Sequence, residues 1–186
     1  MEGEIIDYIH NGVFKEAWAN PKLRQNIKNK GTMFLYCDYA GFASQNLYGA
    51  ACTLVYHHNI KVTAKKLPIE CDRGSNYGEM MAIIHSLETL SAALMEHRPK
   101  SVVIYTDCSR ITHLLVQERF SHSHDEQGRN QLIDVLAVLR RRFSEVNIRI
   151  QYMRKHKDNN TFHRLAHNAA REAALNEAMG FITRLQ

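Results

Sequence analysis

Three acidic residues stand at positions where a chain can present oxygen ligands to a hard cation. Asp38 closes the apolar run Met33-Phe34-Leu35-Tyr36-Cys37, and Asp107 closes the run Val102-Val103-Ile104-Tyr105-Thr106. Glu79 opens a long apolar-periodic segment, residues 79–95, that lies between them. A charged side chain closing a buried strand costs desolvation free energy unless something pairs with it. Two strand-end aspartates and a helical glutamate offset that cost by sharing a divalent cation. Mg²⁺ and similar hard ions take oxygen ligands, and paired cations about 4 Å apart can cleave a phosphodiester in line. Singly, each acid reads as a helix N-cap or a solvated turn residue. Their joint order points to a metal site. The pair His163 and His167, at i and i+4, matches the spacing of a zinc site, but Arg164-Leu165-Ala166 between them lacks the glutamate of a metalloprotease helix. His57-His58 and His122-x-His124 read as surface histidines.

The elements that must position these acids follow from periodicity. Residues 4–19 carry Ile5, Ile6, Ile9, Val13, Phe14 and Ala17 at near-helical spacing, and Asn20-Pro21 ends that helix. The polar, basic stretch 22–31 reads as a linker. Strands are predicted at 33–38, 48–57 and 60–69, as an antiparallel meander with a loop at 39–47. A helix spans 76–96, with Met80, Met81, Ile83, Ile84, Leu87, Leu90 and Leu94 on its buried face. Strand 101–106 follows, then a short helix at 108–117, a polar loop at 120–128, a helix at 130–143, a strand at 147–153 and a last helix at 161–178. The order β-β-β-α-β-α-α-β-α requires a mixed sheet, because a helix between strands makes a parallel crossover. In open α/β sheets ligands gather beyond the strands' carboxyl ends. There Asp38 and Asp107 would converge, with Glu79 brought in by the first turn of its helix.

The 186 residues suit one domain with a short appendage: residues 1–31, an amphipathic helix and basic linker, and 32–186, the main domain. The net charge of +5 and a pI near 9.1 suit a polyanionic partner. No apolar run is long enough to span a membrane, and the acidic start Met1-Glu2-Gly3-Glu4 is no signal peptide. Cys37, Cys52, Cys71 and Cys108 show no zinc or redox spacing and are expected to be free and buried, as in a cytoplasmic protein. The N-terminal apolar stripe is expected to pack on the chain's own domain or on a protein partner.

Five short motifs, in order, resemble the type 1 ribonuclease H (RNase HI-like) family across roughly residues 32–178. Tyr48-Gly49-Ala50 is similar to the Tyr-Gly-Ala that opens the family's second strand. Ser75-Asn76-Tyr77-Gly78-Glu79-Met80-Met81-Ala82 resembles Asn-Asn-x-x-Glu-x-x-Ala, and Thr106-Asp107-Cys108 resembles Thr-Asp-Ser. Lys155-His156-Lys157 falls where the family has a mobile loop with a catalytic histidine. The segment 165–170, Leu-Ala-His-Asn-Ala-Ala, resembles the final-helix pattern Ala-Asp-x-Leu-Ala. The resemblance implies an α/β, ribonuclease H-like fold: a five-stranded mixed sheet with helices on both faces. It implies an endonuclease that hydrolyses the RNA strand of RNA–DNA hybrids with two divalent cations, Mg²⁺ or Mn²⁺.

Carried over by position, the metal-binding carboxylates are Asp38, Glu79 and Asp107, and the mobile histidine is His156. The fourth carboxylate falls on His167. Asn76 would bind the 2′-OH, and Arg154, Lys155 and Lys157 would meet phosphates. The chain departs from the family at His167, since an imidazole suits Mn²⁺ better than Mg²⁺. It departs at Tyr39-Ala40-Gly41, where Gly-Ser usually follows the first aspartate, and at 118–130, which lacks a lysine-rich handle. Arg140-Arg141-Arg142 could replace that handle or form a solvated helix face. The alternative is a catalytically weak or inactive ribonuclease H-like module that binds nucleic acid or protein.

Overall fold

Both faces of the molecule are built on one strand, β1 (Thr32–Phe42). Successive strand side chains point to opposite faces. Met33, Leu35 and Cys37 enter one buried cluster with Met80, Ile83 and Leu87. Phe34 and Tyr36 enter another with Leu23, Ile27 and Phe162. Burial on both faces makes the run continuously apolar rather than alternating. Asp38 continues the even-numbered set and belongs to the second face.

The computed structural model describes residues 12–154 and 159–176 and the backbone of 182–185. Lys155, His156, Lys157 and half of the expected first helix, residues 4–11, lie outside the described residues. Residues 12–19 are helical (α1) and lead to α2 (Pro21–Lys28) and β1. Then come β2 (Leu47–Tyr56), β3 (Asn59–Lys66), α3 (Ser75–Glu96), β4 (Ser101–Thr106), α4 (Ile111–Val116), α5 (Ser123–Arg142), β5 (Asn147–Tyr152), α6 (Thr161–Leu175) and β6 (Ile182–Leu185). The strands lie in the order β5-β4-β1-β2-β3-β6. β1 to β3 pair antiparallel, whereas β4 runs parallel to both β1 and β5. All five expected strands are present in a mixed sheet, and β6 extends it by antiparallel pairing with β3. No helix among the described residues is long and apolar enough to cross a membrane.

Besides shifts of a few residues at the ends of β3, α4 and α6, three features differ from the sequence reading. β1 does not end at Asp38. Its pairing with β4 stops at Tyr36↔Tyr105, but its pairing with β2 continues to Phe42↔Leu47, and the expected loop shrinks to a short turn. The stretch 22–31 is not a linker, because Asn20-Pro21 starts a helix. The Asn20 side chain accepts the backbone N–H groups of Lys22 and Leu23, and proline at N1 costs no hydrogen bond. Leu23 and Ile27 of α2 are buried with Ala17 in the second cluster. Finally, α5 begins at Ser123, inside the expected polar loop. Asp125 and Glu126 in its first turn complement the helix dipole. Gly128 is buried there against α3, where a Cβ would lie 2.9 Å from Met80 Cε and 3.0 Å from Tyr77 Cδ2, so the glycine lets α5 approach α3 without displacing those side chains.

α6 is seated by another glycine. A Cβ on Gly49 would lie 2.2 Å from the Ala170 carbonyl oxygen and 2.7 Å from the Ala174 nitrogen. Glycine on β2 and alanines at 166, 170 and 174, all fully buried, let helix and sheet backbones meet closely. Asn160 caps the start of α6, accepting from the Phe162 and His163 N–H groups at 3.1 Å each. Among the described residues the four cysteines are free; Cys71 is exposed, not buried as expected, because it follows the end of β3 in a loop.

Candidate active site

Asp38 is central in the sheet and only 3% exposed. Because β4 has stopped pairing beside it, its neighbourhood opens toward Asp107, which directly follows β4. α6 lies across the same face and presents two imidazoles one turn apart. His167 Nδ1 is 2.8 Å from Asp38 Oδ2, and His163 Nε2 is 3.3 Å from Asp38 Oδ1. His163 is buried, whereas the His167 side chain is half exposed. One ligand atom each from Asp38, Asp107 and His163 lies within 4.8 Å of the others. That is a distance a single cation can span.

Glu79 arrives from α3, in its second turn rather than its first. Burial first, then the negative charges of Asp107 and Asp38, holds its carboxyl well above the usual carboxylate range. Its Oε2 is buried without a hydrogen-bond partner, and so is His163 Nε2. Buried polar atoms are normally hydrogen-bonded, and unsatisfied ones mark strain, chemistry or an absent ion. Two such atoms beside converging carboxylates fit a divalent cation. Cation charge would remove the repulsion that disfavours ionised Glu79.

The other expected site residues are placed as follows. Asn76 lies one helical turn before Glu79, and its Nδ2 donates to Asp125 Oδ2 at 3.0 Å. Arg154 is exposed and has a left-handed backbone (φ 55°) just after β5. Of Arg140-Arg141-Arg142, Arg140 donates to the Ile148 carbonyl and all three are exposed. His163 was not among the expected ligands. A signal for it existed: set on Phe162-His163-Arg164-Leu165-Ala166, the pattern Ala-Asp-x-Leu-Ala matches at Leu-Ala and puts the histidine on the aspartate.

The RNase H family profile matches residues 15–175. The chain belongs to the RNase H family. Solved structures agree in fold. RNase H1 of the halophilic archaeon Halobacterium salinarum has a TM-score of 0.55 at 16% identity, over 77% of this chain and 97% of that one. LC11-RNase H1, isolated from compost and solved in complex with an RNA/DNA hybrid, has a TM-score of 0.55 at 14% identity, covering 76% and 98%. The N-terminal RNase H domain of a Mycobacterium tuberculosis protein gives 0.52 at 12% identity, covering 75% and 98%. At these identities the likeness establishes the ribonuclease H fold alone. Comparison with curated protein sequences returned no match.

Proposed function

We propose that this RNase H family member is an endonuclease that hydrolyses the RNA strand of RNA–DNA hybrids by a two-metal mechanism. The observation that supports this most is the convergence of Asp38, Asp107 and His163 beside the buried, unpartnered Glu79 carboxylate oxygen. The hybrid bound to LC11-RNase H1 supports the substrate class. Asp38, Glu79, Asp107 and His163 would hold Mg²⁺ or Mn²⁺, and such ions supply an activated water and charge neutralisation at the leaving oxygen. Asp38 would be the central ligand, since Asp107 and His163 each bring a ligand atom within 4.8 Å of it. His163 takes the fourth ligand position and His167 orients Asp38 from the solvent side. With imidazole in that position the site favours Mn²⁺ over Mg²⁺. Asn76 reads the 2′-OH that separates RNA from DNA. Arg154, Lys155 and Lys157 grip phosphates, and His156 relays a proton.

The test is cleavage of a labelled RNA–DNA hybrid in Mg²⁺ and, separately, in Mn²⁺, with Asp107→Asn as control. Cleavage that the substitution abolishes establishes the nuclease. No cleavage in either metal by folded protein overturns it. One observation favours a binding-only module: His167 Nδ1 already hydrogen-bonds Asp38 Oδ2 at 2.8 Å, which offsets part of the cost of burying Asp38 without an ion. Thermal melting separates the two, since a ligand that binds the native state raises its melting temperature and a metal-free module would not respond to Mn²⁺.

A further inference from the structure

An asparagine amide can turn over, presenting either its oxygen or its nitrogen to a ligand. At Asn76 the protein decides which. Nδ2 donates to Asp125 Oδ2 at 3.0 Å, and an ionised carboxylate can only accept. The NH₂ group must therefore face Asp125, which leaves Oδ1, an acceptor, for anything that docks against Asn76. Asp125 is 8% exposed, in the first turn of α5, with its own N–H donating to the His122 carbonyl. Asn76 is half-buried and lines an open cavity of about 360 Å³ with Arg73, Ser75, His122 and His124. It lies three residues from Glu79 on α3, close neighbours on a helix surface.

An outward-facing acceptor selects its ligand by chemistry. A ribose 2′-OH can donate to it; deoxyribose offers no donor there. Phosphate oxygens and base carbonyls are acceptors and would be repelled. We propose that Asp125 is a positioning residue: it locks the Asn76 amide with its oxygen outward and so sets the preference for RNA-containing duplexes over DNA. This rests on the nuclease reading above and adds to it a residue on a different helix that touches no substrate.

The experiment compares binding of an RNA–DNA hybrid and an all-DNA duplex of the same sequence, by fluorescence anisotropy in EDTA, for wild type, Asp125→Asn, Asn76→Ala and the double variant. Asp125→Asn keeps the shape but can donate as well as accept, which frees the Asn76 amide to turn. The expected result is a three- to tenfold loss of hybrid preference, on the order of one hydrogen bond. Affinity for the DNA duplex should stay unchanged, and Asp125→Asn should have no further effect in the Asn76→Ala background. An unchanged preference in Asp125→Asn overturns the proposal, as does an equal weakening toward both duplexes, which a purely structural role would produce. If Asp125→Asn does not fold, Asp125→Ser takes its place and is read the same way, since a hydroxyl also donates as well as accepts. A wild-type preference in Asn76→Ala overturns the proposal in either case, because it removes the reader that Asp125 would orient. A wild type without hybrid preference, or one that never cleaves hybrid, sinks the underlying nuclease reading instead, and the inference with it.

Discussion

Replacing Gly49 with alanine tests whether the seating of α6 sets the active site. The new Cβ would lie 2.2 Å from the Ala170 oxygen and 2.7 Å from the Ala174 nitrogen. Both are backbone atoms, so no rotamer change relieves the clash. Ordinary contact begins at 3.4 Å, and helix and strand must part by about 1.2 Å, the difference between the two distances. Overpacking of this kind costs about 1–3 kcal/mol. A chain of this size loses about 2–4 °C of melting temperature per kcal/mol, so the expected fall is roughly 2–12 °C. The shift also acts on His163 and His167, which share α6 with Ala170. Misplacing a catalytic group by about 1 Å can cost about 10²-fold in rate. Gly49→Ala should therefore remain folded at 25 °C yet cleave hybrid about a hundredfold more slowly. Thermal melting and initial rates in Mn²⁺ measure both effects. Gly31→Ala is the control, because the nearest atom to its Cβ is Asn29 Oδ1 at 3.8 Å. A Gly49→Ala protein with wild-type melting and wild-type rate would refute the packing argument. Lower melting with an unchanged rate would show that α6 does not position the site.

Glu79→Gln should change the pH dependence of metal-free stability. Burial and the charges of Asp107 and Asp38 raise the folded-state affinity of Glu79 for a proton, so the folded protein binds that proton more tightly than the unfolded chain. Glu79 thus contributes stability that is fully present below the ordinary glutamate range and is lost as pH rises through its raised value. In EDTA, melting temperature should fall with pH across that window in wild type and fall less in Glu79→Gln. Added Mn²⁺ should raise wild type more than the variant, and equal slopes would contradict the assignment. His163→Asp should move the ratio of Mg²⁺ to Mn²⁺ cleavage rates toward Mg²⁺, because an oxygen replaces a nitrogen ligand. His163→Ala should reduce Mn²⁺-induced stabilisation more than His167→Ala does, because only His163 shares the close cluster with Asp38 and Asp107. Melting curves with and without Mn²⁺ decide that comparison.

Much of the fold was legible because its signals are local. The runs ending at Asp38 and Asp107, the periodicity of α3 and the alternation of elements name a mixed sheet, whatever their neighbours. Where two local signals compete, the sequence reads both ways. Asn20-Pro21 stops α1 as expected and also serves as cap and N1 proline of α2, a second role that shows only in the burial of Leu23 and Ile27 against the sheet. Gly128 looks like a loop residue until α3 lies against it, where a Cβ would crowd the Met80 and Tyr77 side chains. Asp38 looks like a strand end because its run ends there, but β1 continues wherever β2 still offers hydrogen bonds.

The candidate site divides in the same way. The sequence by itself determined that two aspartates and a glutamate stand at strand and helix positions able to meet, because strand ends and helix faces follow from patterns of two and 3.6 residues. It also put His163 and His167 on one helical face. Which imidazole enters the cluster depends on how deeply α6 is seated and how it is rotated. Contacts between Gly49 and residues more than a hundred positions away decide that, and no local pattern encodes such a contact. The orientation of the Asn76 amide is likewise tertiary, since its partner Asp125 lies on another helix, 49 residues along the chain.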